Sequence, residues 1–382
     1  MILNYHDKES ENKILDKKEY KKLVSLKGKG AANKLILGDN LEVLKSLLHG
    51  LNLAGKIDLI YIDPPFATNN VFKIGEERAN TISSSHHDEV AYEDLLRGPE
   101  FIEFLRKRIV YLRELMSDKA SIYLHIDYKI GHYVKIIMDE IFGTRNFRND
   151  LTRIKCSPKN FNRKAYGNIK DMVLFYTKTS RYTWHEPRMP LTAEDVERLF
   201  KKSDEEGKKY TTVPLHAPGE TRDGATGKEW RGIKPPKGRH WRSEPQMLDD
   251  LDKQGLIEWS DNGVPRKKIF AEYALENGKR MQDIWEFKDP MYPVYPTEKN
   301  MELLELILKT SSDVNDLVLD CFLGSGTTIM AAQKLGRKWI GIDQSENAIK
   351  VVEKRLGSLE GDLYSPAPCY ELLTLSSNGK KM

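Results

Sequence analysis

The chain has 382 residues, enough for one large domain with an insertion or for two domains. Its 61 Lys and Arg nearly balance 57 Asp and Glu, so the net charge of +4 requires any attraction to nucleic acid to come from a local cluster. Cys156, Cys321 and Cys369 are too scattered for a disulfide framework or a four-cysteine zinc site, and no apolar run approaches about eighteen residues. We therefore expect a reduced, cytoplasmic chain without a membrane span.

Residues 1–30 are dense in Lys, Glu and Asp, and their pattern allows a short helix from Asp16 to Leu26. Such a charged run more often marks a solvated face than a binding surface. We predict a mobile basic arm and draw no function from it.

The pattern of the next segment predicts a strand followed by a helix. Lys34–Leu37 is apolar enough for a strand, and Asn40 can cap the helix that follows. Asp39 then stands at the end of the first strand. An ordinary turn acid remains the alternative for that position.

A second strand, Leu59–Ile62, stops at Asp63-Pro64-Pro65-Phe66. Neither proline can donate to a sheet ladder, so the strand must finish near Ile62, with Asp63 at its carboxyl edge, where open α/β sheets bind ligands. A carboxylate, fixed backbone carbonyls and a ring suit a flat heterocycle with an exocyclic amine. The alternative is an acid-capped turn.

The remainder of the first half continues this alternation of helices and strands. Helices are predicted over Pro99–Met116 and Ile130–Phe142, and strands over Ser121–Ile126, Asp150–Lys155 and Met172–Tyr176. These elements complete an α/β sheet. For His125 and Asp127 we expect structural hydrogen bonds.

The composition changes between Tyr182 and Asp289, where five of the six tryptophans occur among glycine, proline and basic residues. We predict an inserted domain whose basic loop binds nucleic acid, because cations can follow phosphates, while tryptophans anchor the loop or stack on bases. The candidate DNA contacts are Arg222, Lys228, Trp230, Arg231, Lys234, Lys237, Arg239, Trp241 and Arg242. The alternative makes Trp230 and Trp241 the core of a small domain and the charges an ordinary solvated surface.

A strand, a glycine turn, a helix and a second strand follow from Leu317 to Asp343. Gly324 and Gly326 allow the backbone to approach a ligand at a helix N-terminus, and Asp343 ends the second strand, where a carboxylate can hold ribose hydroxyls. The pattern favours a nucleoside site over a plain strand-to-helix turn.

Together these stretches resemble the DNA amino-methyltransferases, which methylate the exocyclic nitrogen of adenine or cytosine with S-adenosylmethionine. The resemblance spans most of residues 33–356. Asp63 to Phe66 is similar to the catalytic motif, and Asp320 to Thr328 with Asp343 is similar to the cofactor motifs. The catalytic motif comes first, which marks the permuted beta class.

The resemblance implies a doubly wound, mostly parallel α/β sheet, circularly permuted, with an inserted recognition domain. It implies catalytic roles for Asp63, Pro64, Pro65 and Phe66, with no metal. It implies cofactor contacts for Asp39, Lys299, Asp320, Phe322, Gly324, Ser325, Gly326, Thr327, Thr328 and Asp343. Glu298-Lys299-Asn300 stands where the family usually has Gln-Lys-Pro, so Lys299 carries over while its neighbours differ.

These inferences divide the chain into five segments. We expect an arm (1–30), a catalytic half (31–180), a target-recognition insertion (181–290), a cofactor-binding half (291–360) and a C-terminal tail (361–382). The expected partners are double-stranded DNA and a cognate restriction endonuclease, with a homodimer left open.

The expected activity is methylation of a flipped adenine, because Asp before Pro-Pro is commoner among the family's adenine enzymes than among those acting on cytosine. Cytosine-N4 methylation is the nearest alternative. More distant alternatives are an RNA or protein amide methyltransferase, a dinucleotide-dependent oxidoreductase and a non-catalytic DNA-binding module.

Overall fold

The structure, a computed structural model, describes residues 2–16, 19–65, 71–74, 79–80, 89–93, 98–157, 164–221, 223–291, 293, 295, 298–359 and 368–380. Two candidate site residues, Phe66 and Arg222, lie outside these ranges. The chain forms two compact units, Met1–Glu186 with Gln282–Met382, and Pro187–Met281. In the described ranges no helix combines the length and apolar character needed to cross a membrane.

The first part of the chain supplies most of the larger unit. Its elements are α1 (Glu11–Leu15), β1 (Tyr20–Lys27), β2 (Asn33–Leu37), α2 (Asn40–Lys45), β3 (Ile57–Ile62), β4 (Val71–Ile74), β5 (Ala79–Asn80), β6 (Glu89–Glu93), α3 (Gly98–Leu115), β7 (Met116–Ile126), α4 (Tyr128–Phe142), β8 (Phe147–Ile154) and β9 (Lys170–Thr177). A π-helical turn, Ser46–Gly50, continues α2.

The second unit contains short elements. They are β10 (Arg188–Met189), α5 (Ala193–Leu199), β11 (Lys202–Ser203), β12 (Lys209–Pro214), β13 (His216–Pro218), β14 (Arg239–Trp241), α6 (Pro245–Lys253), β15 (Ile257–Trp259), β16 (Pro265–Phe270), α7 (Ala271–Asn277) and β17 (Lys279–Arg280). Strands β11, β12, β16 and β15 form an antiparallel sheet in that order.

The chain then returns to the larger unit. Its last elements are β18 (Ile284–Glu286), α8 (Met301–Ser311), β19 (Leu317–Asp320), α9 (Thr327–Lys334), β20 (Lys338–Asp343), α10 (Glu346–Gly357) and β21 (Tyr370–Lys380).

A ten-stranded sheet organises the larger unit, in the order β1-β21-β2-β20-β19-β3-β7-β9-β8-β18. The six strands from β21 to β7 run parallel. Strand β2, early in the chain, pairs with β20, late in the chain. This pairing is the circular permutation expected from the sequence, and the α/β fold with a mostly parallel sheet is confirmed.

Helix α3 shows why the sheet has a firm hydrophobic layer. Phe101, Leu105, Ile109 and Leu112 recur every three or four residues, so they share one helix face, and all four are buried in the main core cluster. Each such side chain contributes about 1.5–3 kcal/mol by its burial. The same cluster contains Ile57, Ile60 and Ile62 of β3, which fixes the strand that leads to Asp63.

Two strands at one edge of the sheet differ from the sequence interpretation. Tyr20–Lys27, predicted as part of a mobile arm with a helix, is strand β1, antiparallel to β21. Strand β21 lies in the predicted tail and pairs in parallel with β2. The predicted helix from Asp16 to Leu26 is therefore wrong, because the partner strand lies at the other end of the chain and leaves no local signal.

Turn chemistry at two strand ends positions the site. Strand β3 ends at Ile62, as the two following prolines require. After β2 the helix cap is Asp39, not Asn40 as predicted, since the Asp39 carboxylate accepts a 3.1 Å hydrogen bond from the Glu42 backbone N–H.

Candidate active site

Four carboxylates stand at the carboxyl ends of four neighbouring parallel strands. Along the sheet they are Asp39 after β2, Asp343 ending β20, Asp320 ending β19 and Asp63 after β3. The carboxyl edge of a parallel sheet is where ligands bind in doubly wound folds. From the sequence, Asp39, Asp63 and Asp343 were expected at strand ends, and the strand order brings them together with Asp320.

The glycine turn between β19 and α9 is built around Asp343. One carboxylate oxygen of Asp343 accepts the Gly324 backbone N–H at 2.8 Å, and the other accepts that of Ser345, also at 2.8 Å. Gly324 and Gly326 have φ values of +51° and +78°, in the left-handed region that favours glycine. A Cβ on Gly326 would also lie 2.7 Å from the Val352 side chain. The turn therefore requires glycine at both positions for its backbone conformation, and at Gly326 also because a side chain would not fit.

Asp320 is a buried acid of the row whose pKa is strongly raised. Burial raises the pKa of its carboxyl to about 7, the charges of Asp63 and Asp343 add to this, and hydrogen bonds from Thr328 and the Phe322 backbone N–H oppose it. The side chain is 3% exposed. A carboxyl in this state gains strongly from a nearby cation, because the cation favours its ionised form.

The remaining predicted residues of the turn are held tightly. Ser325, Thr327 and Thr328 are buried, and the hydroxyls of Ser325 and Thr327 lie 3.0 Å apart. Arg355 on α10 donates to the Ser325 carbonyl at 3.0 Å. The Phe322 ring is partly buried, so it can offer one face to a ligand.

A buried arginine ties Asp39 to the glycine turn. The Arg108 guanidinium on α3 donates to Asp39 at 3.2 Å and to Asn40 at 2.5 Å, and the Asn40 amide donates to the Cys321 carbonyl at 2.7 Å. Burial lowers the pKa of Arg108 to about 10, although Asp39 opposes the shift. Sequence reasoning missed Arg108; its only signal is a charge on the buried face of an apolar helix.

Asp63 is paired with Lys299, which the chain supplies from beyond the insertion. The Lys299 ammonium lies 2.5 Å from Asp63 Oδ2, and the two side chains are only 10% and 15% exposed. The family resemblance implied a cofactor contact for Lys299. The structure instead places its charge against the carboxylate of the catalytic motif.

Behind Asp63 lies a polar network around His125, for which structural hydrogen bonds were expected from the sequence, although its partners were not. His125 is fully buried; its Nδ1 lies 2.9 Å from the Tyr61 hydroxyl, and its Nε2 lies 3.2 Å from Asp171. Burial lowers the pKa of His125, although Asp63 and Asp171 oppose the shift. His125 is therefore neutral near pH 7.

Two cationic side chains, Lys155 and Arg153, lie close to Asp171 and complete the network. Lys155 donates to Asp171 at 2.6 Å, and the fully buried Arg153 donates to Asp289 at 2.5 Å with one nitrogen 3.7 Å from Asp171. Burial would raise the pKa of Asp171, but His125 and Lys155 outweigh it and hold that pKa well below its usual range. The network is thus charged but internally neutralised, and it comes nearest to Asp63 at His125, whose Nδ1 lies 3.9 Å from Asp63 Oδ1.

The second unit revises the predicted DNA contacts. Trp230 and Trp241 are each 2% exposed and form the core of this unit with Leu215, Leu248 and Ile257. Buried indoles cannot stack on bases, so the base-stacking prediction for these two residues is wrong. The alternative interpretation, a small-domain core, is correct.

The basic residues of the loop between β13 and β14 fall into two groups. Arg231 is engaged by Asp249, at 2.8 Å, and by Asp252, so its charge is offset within the unit. The other described candidates are exposed, as Arg231 is, but form no ion pair with an acid of the described ranges: they are Lys228, Lys234 and Lys237 in the loop, Arg239 in β14 and Arg242 just after it. Arg239 and Arg242 also donate to His216 and to the Pro214 carbonyl.

Comparison with known proteins identifies the family. The sequence profile of the N6_N4_Mtase family, described as DNA methylase, matches residues 57–354. The type II methyltransferase M.EcaI of Enterobacter cloacae is 40% identical over 368 residues, covering 93% of this chain and 77% of that protein. The StyLTI Mod subunit, from a type III restriction-modification enzyme of Salmonella typhimurium, is 28% identical and covers 81% of this chain.

The chain spans only 51% of the StyLTI subunit's length. Among solved structures, a putative DNA modification methylase from Thermus thermophilus, complexed with S-adenosyl-L-methionine, aligns with a TM-score of 0.45 and 14% identity over 91% of this chain and 99% of that one. The family profile covers well over half of the present sequence, from strand β3 into helix α10. The chain belongs to the N6_N4_Mtase family of DNA methylases.

Proposed function

We propose that the protein transfers a methyl group from S-adenosylmethionine to the exocyclic N6 of adenine in double-stranded DNA. One observation carries the proposal. Asp63 Oδ1 is buried and has no hydrogen-bond partner among the described residues, at the edge where β3 meets β19 and its glycine turn. A buried carboxylate oxygen without a donor is costly to maintain, which is the state expected of an atom that awaits a ligand N–H.

The residues at the sheet edge fit the proposed methyl donor. When bound, S-adenosylmethionine supplies a methyl group already activated by a positively charged sulfur, so the proposal calls for no metal ion. Asp320 and Asp343 give the pocket negative character, and positive charge nearby would ionise Asp320. Gly324 and Gly326 leave room for the backbone of the turn to approach the nucleoside.

Asp63 and Pro64 orient the amine in this proposal. Asp63 Oδ1 accepts one amine N–H and the Pro64 carbonyl accepts the other, which turns the nitrogen lone pair out of the ring plane toward the methyl group. The Pro64-Pro65 pair holds both acceptors in place because its backbone is stiff. Fixed acceptors lower the barrier without reorganisation during the reaction.

Phe66 has a separate task, as the stacking face for the flipped base, by resemblance to the family motif. Stacking on an aromatic ring contributes about 1–3 kcal/mol per base, similar to the few kcal/mol that flipping costs.

The choice of adenine rests on the motif. Asp before Pro-Pro is commoner among the family's adenine enzymes, whereas relatives that methylate cytosine more often have Ser there. The Asp63 geometry accepts either amine, so cytosine-N4 is the alternative product.

The insertion is proposed to read the DNA sequence. Its exposed Lys228, Lys234 and Lys237 lie on one loop, where they can contact phosphates. A cytoplasmic enzyme of this kind would protect its recognition site from a partner endonuclease with the same specificity.

The test is transfer of labelled methyl from S-adenosylmethionine to competing duplex DNA, RNA and protein. The proposal predicts label in duplex DNA. Label in RNA or protein alone would reject DNA as the substrate.

A further inference from the structure

Asp63 is held in an asymmetric setting. Its Oδ2 faces the Lys299 ammonium at 2.5 Å, while its Oδ1 is buried without a hydrogen-bond donor among the described groups. Because both side chains are largely shielded from water, their attraction is much less screened than that of a surface pair. The carboxylate is therefore fixed through one oxygen only.

The neighbouring imidazole does not compete for the second oxygen. His125 Nδ1 is 3.9 Å from Asp63 Oδ1, beyond hydrogen-bond distance. Asp171 accepts the Nε2 proton, and burial keeps the ring neutral, so Nδ1 carries a lone pair that accepts the Tyr61 hydroxyl proton at 2.9 Å. Nδ1 thus has no proton to give to Asp63.

Lys299 reaches Asp63 from a constrained position. It directly precedes Asn300, the N-cap of α8, which accepts the backbone N–H of Glu302 at 2.8 Å and donates to the Lys288 carbonyl at 3.0 Å. These bonds fix the backbone on the C-terminal side of Lys299. The lysine therefore approaches Asp63 from a rigid helix start rather than from a free loop.

We propose that Lys299 is a positioning residue for Asp63: it holds Oδ2 so that Oδ1 faces the amine of the target base. This inference rests on the proposed function, because it assigns Oδ1 to the amine. It replaces the cofactor contact that the family resemblance implied for Lys299. The lysine acts on the transferred group only through the carboxylate.

The test compares Lys299→Met, Lys299→Arg and a control, Lys119→Met. Lys119 forms an ion pair of comparable length with Asp316, at 2.7 Å, next to the amino end of β19 and away from the site, although its side chain is 45% exposed. Calorimetry gives S-adenosylmethionine affinity, and single-turnover assays at saturating donor and DNA give the methylation rate.

The proposal predicts that Lys299→Met lowers the rate by about a hundredfold, the cost of misplacing a reacting group. Donor affinity stays within threefold, Lys299→Arg recovers most of the rate, and the Lys119→Met control retains the wild-type rate. A loss of donor affinity in Lys299→Met, with a normal rate at saturation, would overturn the proposal in favour of a cofactor contact.

A double-mutant cycle covers the case in which Lys299→Met is poorly folded. Lys299→Gln keeps a polar side chain but removes the charge, so it should lower the rate substantially when Asp63 is present. In an Asp63→Asn background, Lys299→Gln should change the residual rate less than about twofold, because the carboxylate it positions is gone. An equal effect of Lys299→Gln with and without Asp63 would contradict the proposal. If the wild type itself fails to methylate DNA, the proposed function fails first; if it methylates and Lys299→Met keeps its rate, only the role of Lys299 fails.

Discussion

Gly324 donates its backbone N–H to Asp343 at 2.8 Å, which joins the turn after β19 to the end of β20. The same carboxylate holds the Ser345 N–H, so both of its oxygens already serve the protein. The glycine turn and the acid that ends the next strand are therefore one unit. Substitution of Asp343 should therefore affect donor binding through the shape of the glycine turn.

Asp343→Asn should weaken donor binding by about 1–3 kcal/mol, because an amide NH2 would face one of the two backbone donors. Calorimetry with S-adenosylmethionine measures this directly. Asp313→Asn, at an exposed acid in the loop before β19, is the control and should bind normally. Unchanged affinity in Asp343→Asn would show that the turn keeps its shape without the carboxylate.

Donor binding should depend on pH through Asp320, whose pKa is raised to about 7 by burial. A cationic donor favours the ionised carboxyl, so affinity should rise with pH, being about tenfold weaker at pH 6 than on the plateau above pH 8. The Asp320→Asn variant should bind with little pH dependence. A flat profile in the wild type would show that Asp320 is already ionised.

The raised pKa of Asp320 gives the stability of the donor-free protein the opposite pH dependence, because stability falls as pH rises. Between the unfolded pKa of 3.8 and the folded value of about 7, the folded chain binds a proton that the unfolded chain has lost. The contribution of Asp320 to the free energy of unfolding is therefore greatest below the unfolded pKa and is lost as pH rises through 7. Denaturant melts of wild type and Asp320→Asn separate this contribution from the rest.

Trp230→Ala should destabilise the insertion by about 3–5 kcal/mol, since it empties a core position and removes an indole that donates to Asp249. Tyr273→Ala, at an exposed position of α7, is the control and should cost about 0.5 kcal/mol or less. Chemical denaturation followed by tryptophan fluorescence measures both. Equal stability of the two variants would contradict the assignment of Trp230 to the core.

The double variant Lys234→Ala, Lys237→Ala should bind duplex DNA more weakly. The slope of the logarithm of the binding constant against the logarithm of salt concentration should become shallower by at most about 1.8, at roughly 0.9 per lost phosphate contact. Donor affinity should not change. Arg231→Ala is the informative comparison, because Arg231 is paired with Asp249 and Asp252 and should leave the salt slope alone. An unchanged slope in the lysine double variant would place DNA binding on another face of the insertion.

Strands β2, β3, β19 and β20 were predictable because each is a short apolar run that ends at an acid or is followed closely by one. Strand β1 was not, since its burial alternates irregularly and its partner β21 comes from the far end of the chain. Local patterns cannot report such a pairing.

The same limit applies to the site: residues marked by their sequence neighbours could be predicted, and contacts between distant parts of the chain could not. Asp63, Asp320 and the two glycines are marked by their own neighbours in sequence. The ion pair with Lys299 and the burial of His125 depend on strand order, and a lone lysine or histidine gives no signal of either. The base-stacking prediction for the tryptophans of the insertion was wrong for a related reason. Composition is equally compatible with tryptophans that stack on bases and with tryptophans in a domain core, and only their burial distinguishes the two.

Mass spectrometry of nucleosides from duplex DNA treated with the purified protein and S-adenosylmethionine tests the central claim most directly, with Asp63→Ala alongside the wild type. We predict N6-methyladenine from the wild type and a loss of about a hundredfold or more in Asp63→Ala, whose donor affinity stays within a few-fold. N4-methylcytosine without methyladenine would correct the base and leave the role of Asp63 intact. Wild-type turnover in Asp63→Ala, or no methylated base from the wild type, would contradict the account.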